Sequence, residues 1–335
     1  MKKVLVTGAS GYIAKHIIVE LGKIGYSIRG TVRDLDQSDI IKSDVEEALK
    51  SKINIEFVKT SLNSDEGWIE AAKGCDIILH TASPFPAKQV KNENDLILPA
   101  KEGTLRVLNA ALKNSISRVI ITSSNAAVYG GNKHISEFDE NIWTNIDSEN
   151  ISAYTKSKTI AEKAAWEFAS QHPSLKITTI NPVLVWGPGI GNHLSSASLN
   201  IFKMIMKKEM PIIPRMKVPL VDVRDVANAH INAMDNEDAI GKRFLLCENT
   251  YWMKDVSGKM KELGYNSPTL VAPDFLIKLF SIADSTLKET IPFLGYDYRV
   301  KSNQAKKVLR FNPIKFEKTL KDTGQYLDKI ILETV

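Results

Sequence analysis

The sequence predicts an α/β protein built on a doubly wound parallel sheet, with a smaller C-terminal lobe. Three observations lead there. Short β-branched runs alternate with amphipathic stretches through the first half of the chain. Several of the runs, Val4-Leu5-Val6 and Val119-Ile120-Ile121 among them, are continuously apolar, as strands buried on both faces are. After Pro182 that alternation loses its regularity, beginning with the turn formers Trp186-Gly187-Pro188-Gly189-Ile190-Gly191.

Taken in order, Val4-Leu5-Val6 reads as the first strand and 12–24 as a helix. Residues 27–32 form a second strand, and 45–49 belong to another helix. Further strands are expected at 54–58, 77–80, 119–122 and 177–180, with helical patterns at 94–111 and 154–170 between them. Residues 1–185 would form the main domain, and 219–234 would return to it as a strand and a helix. Residues 186–218 and 235–335 would make the smaller, substrate-binding lobe.

Composition narrows the class. The chain has 335 residues, 43% hydrophobic and 25% charged, enough to bury a sizeable core. A net charge of +5, with no basic block, argues against nucleic acid as a partner. Lys301, Lys306, Lys307, Lys315, Lys318 and Lys321 are interleaved with apolar residues and read as a solvated helical face. Cys75 and Cys247 lack partner spacing, and the histidines lack metal-ligand spacing, so neither a disulfide nor a metal site is expected. The apolar run behind Met1-Lys2-Lys3 is too short for a signal peptide, and no stretch approaches a membrane span. A cytoplasmic protein, monomer or homodimer, is the expectation.

The turn after the first strand carries chemistry. In Val6-Thr7-Gly8-Ala9-Ser10-Gly11-Tyr12-Ile13-Ala14, Gly8 permits a tight turn and Gly11 lets backbone N–H groups approach a pyrophosphate at a helix N-terminus. Ala14 keeps helix and strand close. The strand before and helix after are the context a dinucleotide site requires. The second strand ends in Thr31-Val32-Arg33-Asp34. An NAD site usually places an acid there, whereas Arg33 can pair with a 2′-phosphate, so NADP(H) is favoured over NAD(H).

Tyr154 and Lys158 are four residues apart in a helix-forming segment and so share a face. A free tyrosine ionises near pH ~10. A neighbouring ammonium would stabilise the phenolate and bring it towards the range of efficient general acid catalysis. The strand Val119-Ile120-Ile121-Thr122-Ser123-Ser124 ends in hydroxyls, where a doubly wound sheet binds its ligands. Successive side chains face opposite ways, so either Ser123 or Ser124 would hold a substrate carbonyl. No histidine stands at a nucleophile's spacing, which discounts a hydrolase.

Together these motifs resemble the extended short-chain dehydrogenase/reductase family, and most closely its dihydroflavonol-reductase-like branch, which includes cinnamoyl-CoA and yeast aldehyde and methylglyoxal reductases. The likeness also takes in His80-Thr81-Ala82-Ser83-Pro84-Phe85, Asn181-Pro182-Val183-Leu184-Val185-Trp186-Gly187-Pro188 and Val221-Asp222-Val223-Arg224-Asp225-Val226-Ala227. It implies a Rossmann-type fold and an NADPH-dependent reduction of a small aldehyde or ketone. Tyr154 would protonate the forming alkoxide, Lys158 would bind the nicotinamide ribose and depress the tyrosine pKa, and Ser124 would orient the carbonyl. Gly8, Gly11, Tyr12 and Ile13 would hold the cofactor's phosphates and Arg33 its 2′-phosphate. Leu62 would lie at the adenine, Thr81 and Ala82 at the ribose, Pro182 and Val185 at the nicotinamide, and Ser198 at a phosphate.

The chain departs from the family in having Ser61 where an Asp precedes the adenine leucine, and Gln37 where a second basic residue is common. Tyr129-Gly130 is closer to sugar-nucleotide epimerases, so an NAD-dependent epimerase or dehydratase is the alternative, and a non-catalytic NAD(P) sensor a third. His80 is expected to be packed rather than catalytic. Asp222 and Asp225 belong to a strand-to-helix connection in which Asp225 caps the helix. Phe275, Phe280, Phe293, Tyr296 and Tyr298 are read as lobe core before pocket lining.

Overall fold

The computed structural model describes residues 2–84, 90, 92–149, 151–193, 196–281 and 290–333; Phe85 of the motif above lies outside them. The described residues form fourteen strands, numbered in chain order. Those of the main sheet are β1 (Lys3–Thr7), β2 (Ser27–Val32), β3 (Ile55–Lys59), β4 (Ile77–His80), β5 (Arg118–Thr122), β7 (Lys176–Pro182) and β11 (Arg243–Leu246). They lie all parallel in the order β11-β7-β5-β4-β1-β2-β3. Alternation along the strands feeds two cores. Val4 and Val6 join one and Leu5 the other, as do Ile120 and its neighbours Val119 and Ile121.

Helices α1 (Tyr12–Lys23), α2 (Ser38–Leu49) and α8 (Val223–Met234) pack together on one face. On the other, α3 (Trp68–Ala72), α4 (Asn94–Lys113) and α6 (Ala153–Gln171) form the second layer, with α5 (Ala126–Tyr129) against α6. Strand order reverses between β1 and β4, and the crevice at their carboxyl ends is where such sheets take ligands.

The later chain differs from expectation at two points. The strand anticipated at 219–223 is β10 (Lys217–Asp222), which does not rejoin the main sheet. It lies between β8 (Leu184–Trp186) and β12 (Asn249–Trp252) in a small sheet of its own. The main sheet instead gains β11, from the stretch assigned to the smaller lobe. All four of its residues are buried, as a parallel strand covered on both faces demands. The helix that follows β10 does pack on the main domain, against α1. Its cap is Asp222, which accepts from the N–H of Arg224 at 2.9 Å, and not Asp225, whose carboxylate accepts from the N–H of Ile314 at 2.8 Å.

Short parallel pairs join β6 (Glu137–Phe138) to β14 (Arg299–Val300) and β9 (Ile213–Pro214) to β13 (Val271–Ala272). The remaining α-helices among the described residues are α7 (Ala197–Met206), α9 (Met253–Glu262), α10 (Asp274–Phe280), α11 (Asn303–Val308) and α12 (Phe316–Glu333). The six lysines of the C-terminal region are all exposed. The aromatics divide: Tyr298 is buried and Tyr296 donates to the carbonyl of Asn132, while Phe275 and Phe280 are 67% and 50% exposed.

Helix α12 reaches back across the small sheet. Asp322 pairs with Arg224 at 2.6 Å, Thr319 donates to Asp222 at 2.8 Å, and Thr323 accepts from the N–H of Gly187 at 2.8 Å. Tyr326 bonds the carbonyl of Gly191 and the N–H of His193. No helix among the described residues is long and apolar enough to cross a membrane.

Candidate active site

The turn at Gly8 is welded to its neighbours. Gly8 has φ of +67°, and a Cβ there would sit 3.1 Å from Cα of Ala82; both facts require glycine. Its N–H donates to Thr31 Oγ1, and that of Ala9 to the Thr31 carbonyl. Thr7 organises the other side. Its Oγ1 accepts from the N–H groups of Thr81 and Ala82 at 3.1 and 3.0 Å and lies 2.8 Å from His80 Nδ1. With its acceptor capacity used, the hydroxyl proton goes to Nδ1, so the His80 proton sits on Nε2, facing Thr104. Burial, reinforced by Lys158, pushes the His80 pKa down to about 3. The ring is therefore a neutral, packed organiser.

Gly11 caps α1 without contributing a side-chain acceptor, so no side chain at the cap competes with an anion for the first-turn amides. Tyr12 donates from its hydroxyl to the carbonyl of Gly187 at 2.7 Å, and Ile13 packs on the main core. Arg33 is exposed, and no ion pair to it is found among the described residues. Asp34, the acid that follows Arg33, accepts from the N–H of Asp36 and caps a one-turn 3-10 helix. Leu62 packs over Gly103 of α4, whose added Cβ would meet its Cδ2 at 2.5 Å.

At the ends of β5 and β7 the structure separates the two serines. Ser123 is buried and donates to Glu162. Ser124 accepts from the N–H of Ala126 at 3.1 Å and bonds the Tyr154 hydroxyl. Tyr154 follows directly on the start of α6, capped by Ser152 through the N–H of Thr155. Burial raises the tyrosine pKa, and the bond from Ser124 opposes that rise. This direction is opposite to the fall expected from the ammonium: Lys158 Nζ stands 6.0 Å from the ring centroid, and removal of the phenol from water sets the direction. Lys158 itself is buried, which pushes its pKa down to about 8 against the pull of Glu162. It lines a recess with His80, Thr104, Thr122, Ser123 and Glu162.

Of the other expected residues, Pro182 ends β7 and its carbonyl accepts from the N–H of Asn125 at 2.9 Å. Val185 is buried in β8, and Ser198 lies in the first turn of α7, its carbonyl accepting from Trp186 Nε1 at 2.9 Å. Sequence reasoning passed over Thr7, Asn125, Asn181, Glu162 and Arg243. The signal available for Glu162 was spacing, since Tyr154, Lys158 and Glu162 recur every four residues on one helix face.

The residues fit a dinucleotide. Gly8 allows the tight turn against Ala82, Gly11 leaves the first-turn amides of α1 without a competing side chain, and Arg33 offers an exposed cation beyond β2. Beside Ser124, both amide atoms of Asn125 and Oδ1 of Asn181 are buried without a partner, which is costly unless a ligand or water satisfies them. Among the described residues no group of His, Cys, Asp or Glu could hold a metal ion.

Residues 4–247 match the model of the NAD dependent epimerase/dehydratase family. The chain is 32% identical to the NADPH-dependent methylglyoxal reductase GRE2 of Saccharomyces cerevisiae, over 77% of this chain and 82% of that one. It is 35% identical to the cinnamoyl-CoA reductase CAD2 of Medicago truncatula, over 97% and 95%. The crystal structure of yeast methylglyoxal/isovaleraldehyde reductase Gre2 complexed with NADPH superposes with a TM-score of 0.76 at 28% identity, covering 98% and 99% of the two chains. The chain belongs to the NAD dependent epimerase/dehydratase family, within the extended short-chain dehydrogenases/reductases and their dihydroflavonol-reductase-like branch.

Proposed function

We propose that this chain is an NADPH-dependent reductase of a small aldehyde or ketone, with Tyr154 as its general acid. The observation that carries the reading is the bond between Ser124 and Tyr154 at the sheet's edge, one helical turn from Lys158. The relatives at 32% and 35% identity bear the names of reductases, which supports reduction over sugar-nucleotide epimerisation. NADPH, when bound, supplies the hydride. Ser124 donates a hydrogen bond to the carbonyl oxygen and aligns it with Tyr154. The phenol then gives its proton to that oxygen as negative charge gathers there. Lys158 holds the ribose hydroxyls and, as an ammonium, stabilises the phenolate that remains.

Gly8, Gly11, Tyr12 and Ile13 would hold the pyrophosphate, Arg33 the 2′-phosphate, and Leu62 the adenine. Thr81 and Ala82 would hold the ribose, Pro182 and Val185 the nicotinamide, and Ser198 a phosphate. The two cysteines are free and buried, which supports a reducing, cytoplasmic setting. The test is NADPH oxidation, followed at the nicotinamide absorbance, against a panel of small aldehydes and ketones. Turnover with NADPH exceeding that with NADH is expected. No oxidation with any carbonyl, together with tightly retained NAD and binding of nucleotide sugars, would reverse the assignment.

A further inference from the structure

The recess behind Lys158 contains a carboxylate with no part in the chemistry above. Glu162 stands one turn beyond Lys158 on α6, and its side chain is wholly buried. Its Oε1 accepts from Arg243 Nε at 2.6 Å, from Thr179 at 3.0 Å and from Trp166 Nε1 at 3.3 Å. Its Oε2 accepts from Asn181 Nδ2 at 2.7 Å and from Ser123. These partners bring the ends of β5, β7 and β11 to one carboxylate. Asn181 Nδ2 also donates to the carbonyl of Ser124 at 3.1 Å, so Glu162 anchors both neighbours of the serine that meets Tyr154. Arg243 is held in turn by the carbonyls of Glu140 and Ile142 and lies 3.6 Å from the ring centre of Trp143.

We propose that Glu162 is a positioning residue that keeps Lys158 charged and sets the place of Ser124, with Arg243 moderating its field. The inference rests on the role given to Lys158 above. A buried carboxylate is costly, and it is retained where a specific geometry or charge is needed. Lys158 and Glu162 line the same recess, a space of about one water whose walls mix polar and apolar groups. The other groups around the ammonium do not substitute for Glu162. Tyr154 is protonated, His80 is neutral, and α4 and β5 contribute only Ala100, Thr104, Ile121, Thr122 and Ser123 to the recess. Burial alone drives Lys158 towards the neutral amine, and Glu162 opposes it.

The charge argument predicts opposite effects for two neighbours, which a merely structural role would not give. The pH profile of kcat/KM for NADPH-dependent reduction reports the free enzyme's groups. In Glu162→Gln its alkaline limb should move down by about one pH unit, with activity recovering as the pH is lowered. In Arg243→Met, which leaves Glu162 unopposed, the limb should move up. If either single variant fails to fold, the double variant Glu162→Gln/Arg243→Met removes the pair together, and its limb should fall between that of the wild type and that expected for Glu162→Gln. The Lys158 side-chain signal, followed by NMR in lysine-labelled protein and assigned with Lys158→Arg, should titrate in the same order. That signal is independent of turnover, so a missing reductase activity is distinguished from a failure of the inference. A Lys158 titration that does not move down in Glu162→Gln or, where that variant does not fold, does not move up in Arg243→Met would overturn it.

Discussion

Asp225 offers a stability measurement whose sign and size follow from its surroundings. Its pKa is pushed up to about 7 by burial, against the bond from the N–H of Ile314 and with Asp222 adding to the rise. The unfolded chain would return it to 3.8. The folded state thus binds this proton more tightly, so stability is highest below the unfolded pKa and falls as pH rises from about 4 to about 7. The difference between the two values corresponds to roughly 4 kcal/mol. Relaxation and water reaching the carboxylate would reduce that to about 2–4 kcal/mol. Asp225→Asn keeps an oxygen for the Ile314 N–H and removes the buried charge. At pH 8 its melting temperature should exceed the wild type's by roughly 3–6 °C, and at pH 4 the two should nearly coincide. Calorimetry or circular dichroism at both pH values reads the comparison directly. A gain equal at pH 4 and pH 8, or a loss at pH 8, would refute the reasoning.

Three further outcomes are expected. Tyr154→Phe should lower kcat by about 10²–10⁴ while NADPH affinity, read by fluorescence titration, stays within a few-fold of wild type. Arg33→Ala should raise KM for NADPH about 10- to 100-fold and leave that for NADH nearly unchanged in steady-state kinetics; equal changes would remove the 2′-phosphate role. Ser124→Ala should cut turnover by about tenfold or more with a small change in melting temperature. Ser123→Ala, which deprives Glu162 of a buried donor, should lower the melting temperature more than Ser124→Ala does, so the two serines separate by assay.

Much of this architecture is legible from residue types alone. Strands such as Val4-Leu5-Val6 and Val119-Ile120-Ile121 are apolar without interruption because both faces of the sheet are covered. The tyrosine and lysine stand out because their spacing is that of one helical turn. Strand β11 is harder to read. It is four residues long and opens on Arg243, whose charge is made tolerable by Glu162, 81 positions earlier, and by the carbonyls of Glu140 and Ile142. Glu162 looks like an ordinary solvated helix residue until the fold buries it. The lobe aromatics were ambiguous for a physical reason: a large ring suits a core and a pocket wall equally, and only packing sorts Tyr298 from Phe275.

The contacts of α12 bear on when the protein becomes competent. The loop at Gly187–Gly191 is held at Gly187 by Tyr12 and Thr323 and at Gly191 by Tyr326. A nascent chain emerges from the ribosome with its phosphate-binding turn well before residues 316–333. Until residues 316–333 emerge, Asp222 and Arg224 lack Thr319 and Asp322, and the loop beside the turn has no anchor at Gly191. Cofactor binding should therefore be a late event in biosynthesis, and a nascent chain stalled near residue 310 should retain NADPH poorly even with its turn complete.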